Sequence, residues 1–306
     1  MKDYALSEDY QLLSKILLSN LSFLNYMTPL ADVKDEIPLT ELFITEVLQP
    51  GNKDTFTPKG GANFKARIGK VRPGKVDLRF TPTQITTLYK SYLGQVSGGK
   101  IDIYQFPFEA FIMTKIIERL RRDIHLRAVF TGVYNAAGTA AADIMDGLLT
   151  KVAADITAGN IPASNVLAGA PITAVNAYDQ VSALVDRVVA DPEYNSVPMV
   201  MLLSPLNMRR YNQDYQTTFG ALPYNNGFEQ QIIDGTSIRF VVEPGLTGSN
   251  RLIVTPQENF YWLVDDQSRI DTLTVEYALR NISVMVDFNA GVEYGIAELI
   301  WTNDQA

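Results

Sequence analysis

Apolar positions recur along this chain with two periods, and the periods divide it into helices and strands. Met113, Ile116, Ile117, Leu120, Ile124 and Ala128 fall on one stripe at helical spacing, with Lys115, Glu118, Arg119 and Arg122 on the other side. That spacing predicts one long amphipathic helix from Pro107 to Phe130. Ser7, followed by Glu8 and Asp9, opens a mixed helix to about Tyr26, ended by Pro29. Thr81-Pro82 caps a short helix through Leu93. Thr139 is expected to cap a helix that turns Ile144, Met145, Leu148, Val152 and Ile156 inward and stops at Gly159. Another helix follows Thr173, with Tyr178, Val181, Leu184, Val185 and Val188 inward. Ser204-Pro205 is an N-cap with proline at the first helical position, and its helix reaches about Tyr215.

Alternation at period two marks the strands. Thr40 to Leu48 reads as one. Asn63 to Ile68 and Lys75 to Phe80 alternate as well, with Gly69 to Gly74 between them as a turn. These two are expected to pair as a long hairpin with few apolar residues, marginal by itself and in need of something to lie against. Val197 to Leu203 is almost continuously apolar, as a strand buried on both faces requires. Short strands follow at Gln231 to Val242 around an Asp234-Gly235 turn, at Arg251 to Val254 and at Phe260 to Val264. The chain closes on Leu273 to Tyr277, on Ile282 to Phe288, and on a strand beginning Val292, Tyr294, Ile296 after an Asn289-Ala290-Gly291 turn.

The 306 residues, 46% hydrophobic and 20% charged, suffice for one large domain or two moderate ones with a substantial core. There is no cysteine, which excludes disulfides and thiolate metal sites. No apolar run resembles a signal peptide or a membrane span, so a soluble, unsecreted chain is expected. Charge is unevenly spread. Residues 1–127 carry 18 basic and 14 acidic side chains, whereas residues 128–306 carry 8 and 20. Such a split lets copies of one chain attract each other. Residues 51–80 concentrate the basic excess in Lys53, Lys59, Lys65, Arg67, Lys70, Arg72, Lys75 and Arg79, against Asp54 and Asp77 alone.

Catalytic chemistry finds few footholds. His125 is the single histidine and lies inside the long predicted helix, where a structural role fits better than a catalytic one. Gly94 to Lys100 matches the glycine and lysine spacing of a phosphate loop, but Ile101 stands where a Ser or Thr would hold magnesium. A helix precedes it, whereas a phosphate loop follows a strand. Asp265-Asp266 is an acidic pair of a kind ordinary at strand ends. No catalytic, cofactor or metal residue is therefore assigned, no cofactor is expected, and the chain reads as a structural protein and not an enzyme. The basic segment has the Lys/Arg density to contact phosphates, but only Phe56 and Phe64, with Phe80 at its edge, for stacking. An acidic protein surface suits it better, and its eight basic residues become candidates for contacts between subunits.

In order, the elements are a short N-terminal helix, an extended basic hairpin, a long helix, an α/β unit and closing strands. That order resembles the major capsid proteins of tailed bacteriophages, the Hong Kong ninety-seven-like capsid fold. The resemblance implies an α+β fold in named parts: an N-terminal arm over 1–36, and an extended β-hairpin (E-loop) region over 37–106, its hairpin spanning Gln49 to Phe80. A peripheral domain with the spine helix would cover 107–137 and 266–306, and an α/β axial domain 138–265. It further implies a subunit that self-assembles through pentamers and hexamers into an icosahedral or prolate head shell around phage DNA. Portal and scaffolding proteins would be partners, DNA would be enclosed without sequence-specific binding, and no membrane would be involved. The chain would be made in the host bacterial cytoplasm and reside in the virion capsid. An encapsulin-type cellular compartment, or another phage part such as a tail tube or decoration protein, are the alternatives. Two departures stand out: Met1 lies too close to the first helix for a long scaffolding segment, and no Lys–Asn cross-linking pair can be assigned. Replacing Lys65, Arg67, Lys70 and Arg72 with Glu is expected to abolish assembly yet leave the isolated subunit stable, and high salt is expected to weaken assembly.

Overall fold

The computed structural model describes residues 22–44, 48–51, 58–98, 108–192, 197–220, 232–233, 235–265, 274–278 and 280–305. The apolar stripe of the long helix is buried along its whole length, from Met113 to Ala128. The helix, α2, spans Phe108–Asp123 after α1, Pro82–Ser97. It continues through one wide turn, Ile124–Ala128, closed by the Val129 amide on the Ile124 carbonyl five residues back. Thr81 caps α1 as expected, in a reciprocal box with Gln84, and the helix runs one turn past Leu93.

Among the described residues, two five-stranded sheets and a two-stranded ribbon make up the β-structure. In the first sheet, β1 (Thr28–Leu30), β9 (Phe260–Val264), β11 (Asn281–Tyr294) and β10 (Thr274–Ala278) lie in that order. A further strand, β4 (Arg72–Phe80), pairs with β11 as well. The second sheet runs β5 (Val166–Leu167), β12 (Trp301–Asn303), β8 (Ile253–Pro256), β6 (Met199–Leu203), β7 (Arg239–Val242). Its strand β6, flanked on both sides and fully buried, is the continuous apolar run of the sequence. Ser204 accepts from the Asn207 amide and starts α5, Pro205–Phe219, which runs one turn beyond Tyr215. With α4, Ala177–Val189, it covers this sheet in a core that includes Leu184, Met201, Leu203, Tyr211 and Phe240. A second core lies where α1 and α2 meet β4, β10 and β11, around Met113, Ile117, Tyr92, Val284 and Val286. A third joins the two halves through Phe130, Met145, Leu148, Leu202, Trp262 and Tyr294. The chain is thus a mixture of helix and sheet.

Several expectations need correction. The segments 63–68 and 75–80 are strands, but they do not pair with each other. The ribbon consists of β2 (Glu36–Ile44) and β3 (Ala62–Lys70), antiparallel, with Leu39 opposite Arg67 and Glu41 opposite Lys65. Strand β4 instead runs antiparallel to β11, Val76 opposite Val286 and Phe80 opposite Ile282. The local turn at Gly69 to Gly74 does not form because Val71 is buried in this junction, with Val33 and Leu263. Burying Val76 and Phe80 against the helices outweighs the lower closure cost of a short hairpin.

Nor does Thr139 begin a helix. Residues Ala141–Asp143 make a single tight turn, and α3 starts at Leu148 and runs to Ala158 before Gly159. Met145, Leu148 and Val152 are nonetheless buried as their spacing implied. At the chain's end, Asn289-Ala290-Gly291 is no turn: β11 is unbroken for 14 residues, roughly 45 Å. Gly291 serves a close approach, since a Cβ there would lie 2.1 Å from the Lys70 carbonyl oxygen, where the chain passes from β3 to β4. Gly291→Ala should therefore push the two strands apart and lower stability by about 1–3 kcal/mol in chemical denaturation. A change within a few tenths of a kcal/mol would show that the junction yields freely. Of the N-terminal helix expected over 7–26, one turn, Ser22–Asn25, lies within the described residues. Thr40 to Ile44 belong to β2, and residues 45–47 of that expected strand fall outside the described residues, as do Pro107, Asp234 and Leu273.

Candidate assembly interface

The ribbon springs from a narrow root. Its two ends are tied by the Val71 amide donating to the Asp35 carbonyl at 2.9 Å, and Glu36 stands opposite Lys70. Register places Ile37, Leu39, Arg67 and Gly69 on one face and Pro38, Thr40, Ala66 and Ile68 on the other. The first face meets the body. Gly69 is buried, and any side chain there would collide with Leu263 and Ile37. The second face is turned outward: Pro38, Thr40 and Ala66 are exposed, and Ile68 keeps 49% of its surface in water. Among the described ribbon residues, the outward face is thus mainly apolar, with Thr40 and one ion pair at its root, Lys70 to Glu36 at 2.5 Å.

On the inward face Arg67 enters a charged seat built by α3 and β11. Its Nε donates to Glu293 Oε1 at 2.8 Å, and its Nη1 lies 2.6 Å from Asp155 Oδ2. Its guanidinium carbon sits 3.8 Å from the centre of the Tyr294 ring. Lys151 donates to the other oxygen of Glu293 at 2.7 Å. Asp155 also accepts from Asn160 Nδ2 at 2.8 Å and from the Tyr294 hydroxyl. Glu293 is 2% exposed, so this is a buried network in which each carboxylate has several donors. Burial would raise the Asp155 pKa, but the Tyr294 hydroxyl, Asn160 and Arg67 together hold it below the ordinary carboxylate value. Burial chiefly, with the adjacent Asp155 and Glu293, pushes the Tyr294 phenol far up, so it stays a donor.

The eight basic candidates are therefore not one group. Lys53 lies outside the described residues. Lys59, Lys65, Arg67 and Lys70 belong to the ribbon or its connecting loop: Lys59 donates to the Leu48 carbonyl, and the backbone of Lys65 is in register with that of Glu41. Arg72, Lys75 and Arg79 lie in β4, in the body's sheet. There the Arg72 guanidinium stacks 4.2 Å over Tyr134, Lys75 pairs with Asp77 at 2.8 Å, and Arg79 sits opposite Ser283. Over 36–70 the true ribbon carries five basic and four acidic residues, a net charge of only +1. The strongly basic hairpin does not form, because its two strands belong to different sheets. Sequence reasoning missed Lys151, Asp155, Glu293 and Tyr294; the available signal was a carboxylate, Glu293, set between Val292 and Tyr294 in an otherwise apolar strand end.

The residues weighed for chemistry sit as follows. His125 Nε2 contacts the buried Glu243, which also takes the Tyr26 hydroxyl and the Gly245 amide. Gly94 to Ser97 form the last turn of α1, so a helix and not a strand leads into the phosphate-loop match, whose Gly99 and Lys100 fall outside the described residues. Asp265 accepts from Asn289 at 3.0 Å, and Asp266 lies outside the described residues. Among the described residues, no group of three or more His, Asp or Glu is placed to hold a metal ion, and no helix is long and apolar enough to cross a membrane.

No protein-family model matches the sequence, and no curated protein matches it. Solved structures do share its architecture. A chain of the satellite phage P4 procapsid including size determination (Sid) protein matches with a TM-score of 0.64 at 14% identity, over 97% of this chain and 90% of that one. A chain of the capsid of the native GTA particle matches with 0.60 at 11% identity, over 92% and 89%. A chain of the holo-SrpI encapsulin complex from Synechococcus elongatus PCC 7942 matches with 0.50 at 11% identity, over 95% and 86%. At such identities the fold is what is shared, and this chain has the fold of phage major capsid proteins.

Proposed function

We propose that the chain is a structural shell subunit, which self-assembles through pentamers and hexamers into the head of a tailed phage and encloses its DNA. The observation that carries this reading is a capsid fold over nearly the whole chain, joined to a ribbon whose outward face is mainly apolar and unburied within one subunit. A second copy covering Pro38, Ala66 and Ile68 would remove that surface from water, at about 25 cal/mol per Å². In this reading residues 1–36 act as the N-terminal arm, the ribbon as the E-loop and α2 with its wide turn as the spine helix. Residues 107–137 with 266–306 form the peripheral domain and 138–265 the axial domain. Portal and scaffolding proteins are its partners in the virion, and it performs no catalysis.

Negative-stain microscopy and light scattering of the purified protein test the reading. Closed shells or capsomers are expected, and a strictly monomeric mass across salt and concentration would overturn it. With a nearly neutral ribbon, raising salt should leave assembly intact or strengthen it, the reverse of what a basic hairpin implied. The fold shared with the encapsulin complex keeps a second reading open, a cellular compartment. Shells isolated from their native source decide between the two: packaged DNA supports the first and an enclosed protein cargo the second.

A further inference from the structure

The root of the ribbon is two strands wide, and such a ribbon can bend and twist about its root unless something holds it. The Val71–Asp35 hydrogen bond fixes where the chain crosses, at the root itself. Arg67 lies four residues from Val71 along the ribbon, on the face toward the body, and is the ribbon's residue in the charged seat. The other contacts of the seat come from the body and not from the ribbon. Glu293 is held by Lys151 and, at 3.2 Å, by the Tyr294 amide; Asp155 is held by Asn160 and the Tyr294 hydroxyl. Both carboxylates thus have partners of their own besides Arg67, none of them on the ribbon. Arginine suits the task, because a planar fork can engage two carboxylates while stacking on a ring, and a lysine cannot.

We infer that Arg67 is a positioning residue that fixes the angle at which the ribbon leaves the body before any second copy arrives. A ribbon already held in direction loses less freedom when a partner binds it, so association is stronger for the same buried surface. The consequence for shells rests on the function proposed above; the consequence for ribbon direction does not.

Asn303 supplies the control, since it is buried in the second sheet, hydrogen-bonded to Leu252 and Asn250, and takes no part in the seat. The chain has no cysteine, so Thr40→Cys on the ribbon and Ala190→Cys beyond α4 can be spin-labelled without background. Distances measured in the unassembled, full-length subunit should show one narrow distribution. Arg67→Met should broaden it at least twofold, and Arg67→Lys should fall between. Asn303→Ala should lower the melting temperature yet leave the distribution narrow. In assembly, Arg67→Met should need roughly tenfold more protein to form shells, or give irregular ones, while Asn303→Ala forms regular shells. A distribution as narrow in Arg67→Met and Arg67→Lys as in wild type, or one equally broad in Asn303→Ala, overturns the inference. Failure of the wild type itself to assemble overturns the shell reading and leaves the distances to decide the role of Arg67.

Discussion

Arg67→Glu in the isolated subunit should lower its stability by about 3–5 kcal/mol, the cost of removing one partner from a buried ion network. Arg67 keeps only 20% of its side chain in water, and its loss leaves Asp155 and Glu293 facing a third carboxylate. Lys70→Glu is the comparison, since its pair with Glu36 is close to half-exposed on both sides and worth roughly 0–1 kcal/mol. Urea denaturation of the two variants, kept below the assembly concentration, should separate them clearly. Equal midpoints would mean that the seat is solvated in solution. This reverses the earlier expectation for the quadruple replacement of Lys65, Arg67, Lys70 and Arg72, because one of those four belongs to the subunit's own interior. Acid should imitate the mutation. The Asp155 pKa is depressed in the folded chain, so its stabilising share is complete above the unfolded carboxylate value and is lost as pH falls through the lowered folded value. In Arg67→Met this acid dependence should flatten.

What the sequence disclosed and what it hid divide along one physical line. The stripe from Met113 to Ala128, the run Met199–Leu203 and the Ser204-Pro205 start all depend on neighbours within a few residues, and the structure reproduces them. Strand partners depend on distant surfaces. Nothing local to Arg72–Phe80 reveals that its partner begins some two hundred residues later, at Asn281. Asn289-Ala290-Gly291 has the composition of a turn, yet Gly291 is there to admit the Lys70 carbonyl from another strand. The candidate interface suffered most. Arg67 alternates with Ala66 and Ile68 as any exposed basic residue might, and its carboxylates lie 88 and 226 positions away. The true partner strand also changes the charge, from +6 over 53–79 to +1 over 36–70. For the proposed shell, that count favours apolar over electrostatic docking of the ribbon.

Glu243→Ala should be nearly as costly as the loss of Arg67, and its damage should appear at the other extension of the chain. Glu243 is 2% exposed and gathers the Tyr26 hydroxyl, His125 Nε2 and the Gly245 amide. Burial chiefly, with the neighbouring Glu243, pushes the Tyr26 phenol well above its ordinary value, so it remains a donor. The alanine variant leaves these polar groups buried without their acceptor, at about 1–3 kcal/mol each. A loss of about 3–5 kcal/mol is expected, with Tyr26→Phe, which removes one donor, nearer 1–2. The Tyr26–Glu243 contact joins positions 217 apart and, with Phe23 edge-on to Trp262, fastens residues 22–27 to the body. Glu243→Ala should therefore speed hydrogen exchange and proteolytic cleavage around residues 22–35 more than in α4 or β6. If Glu243→Ala and wild type protect that segment equally, the network stabilises the end of α2 alone, and the N-terminal segment is held by its apolar side chains.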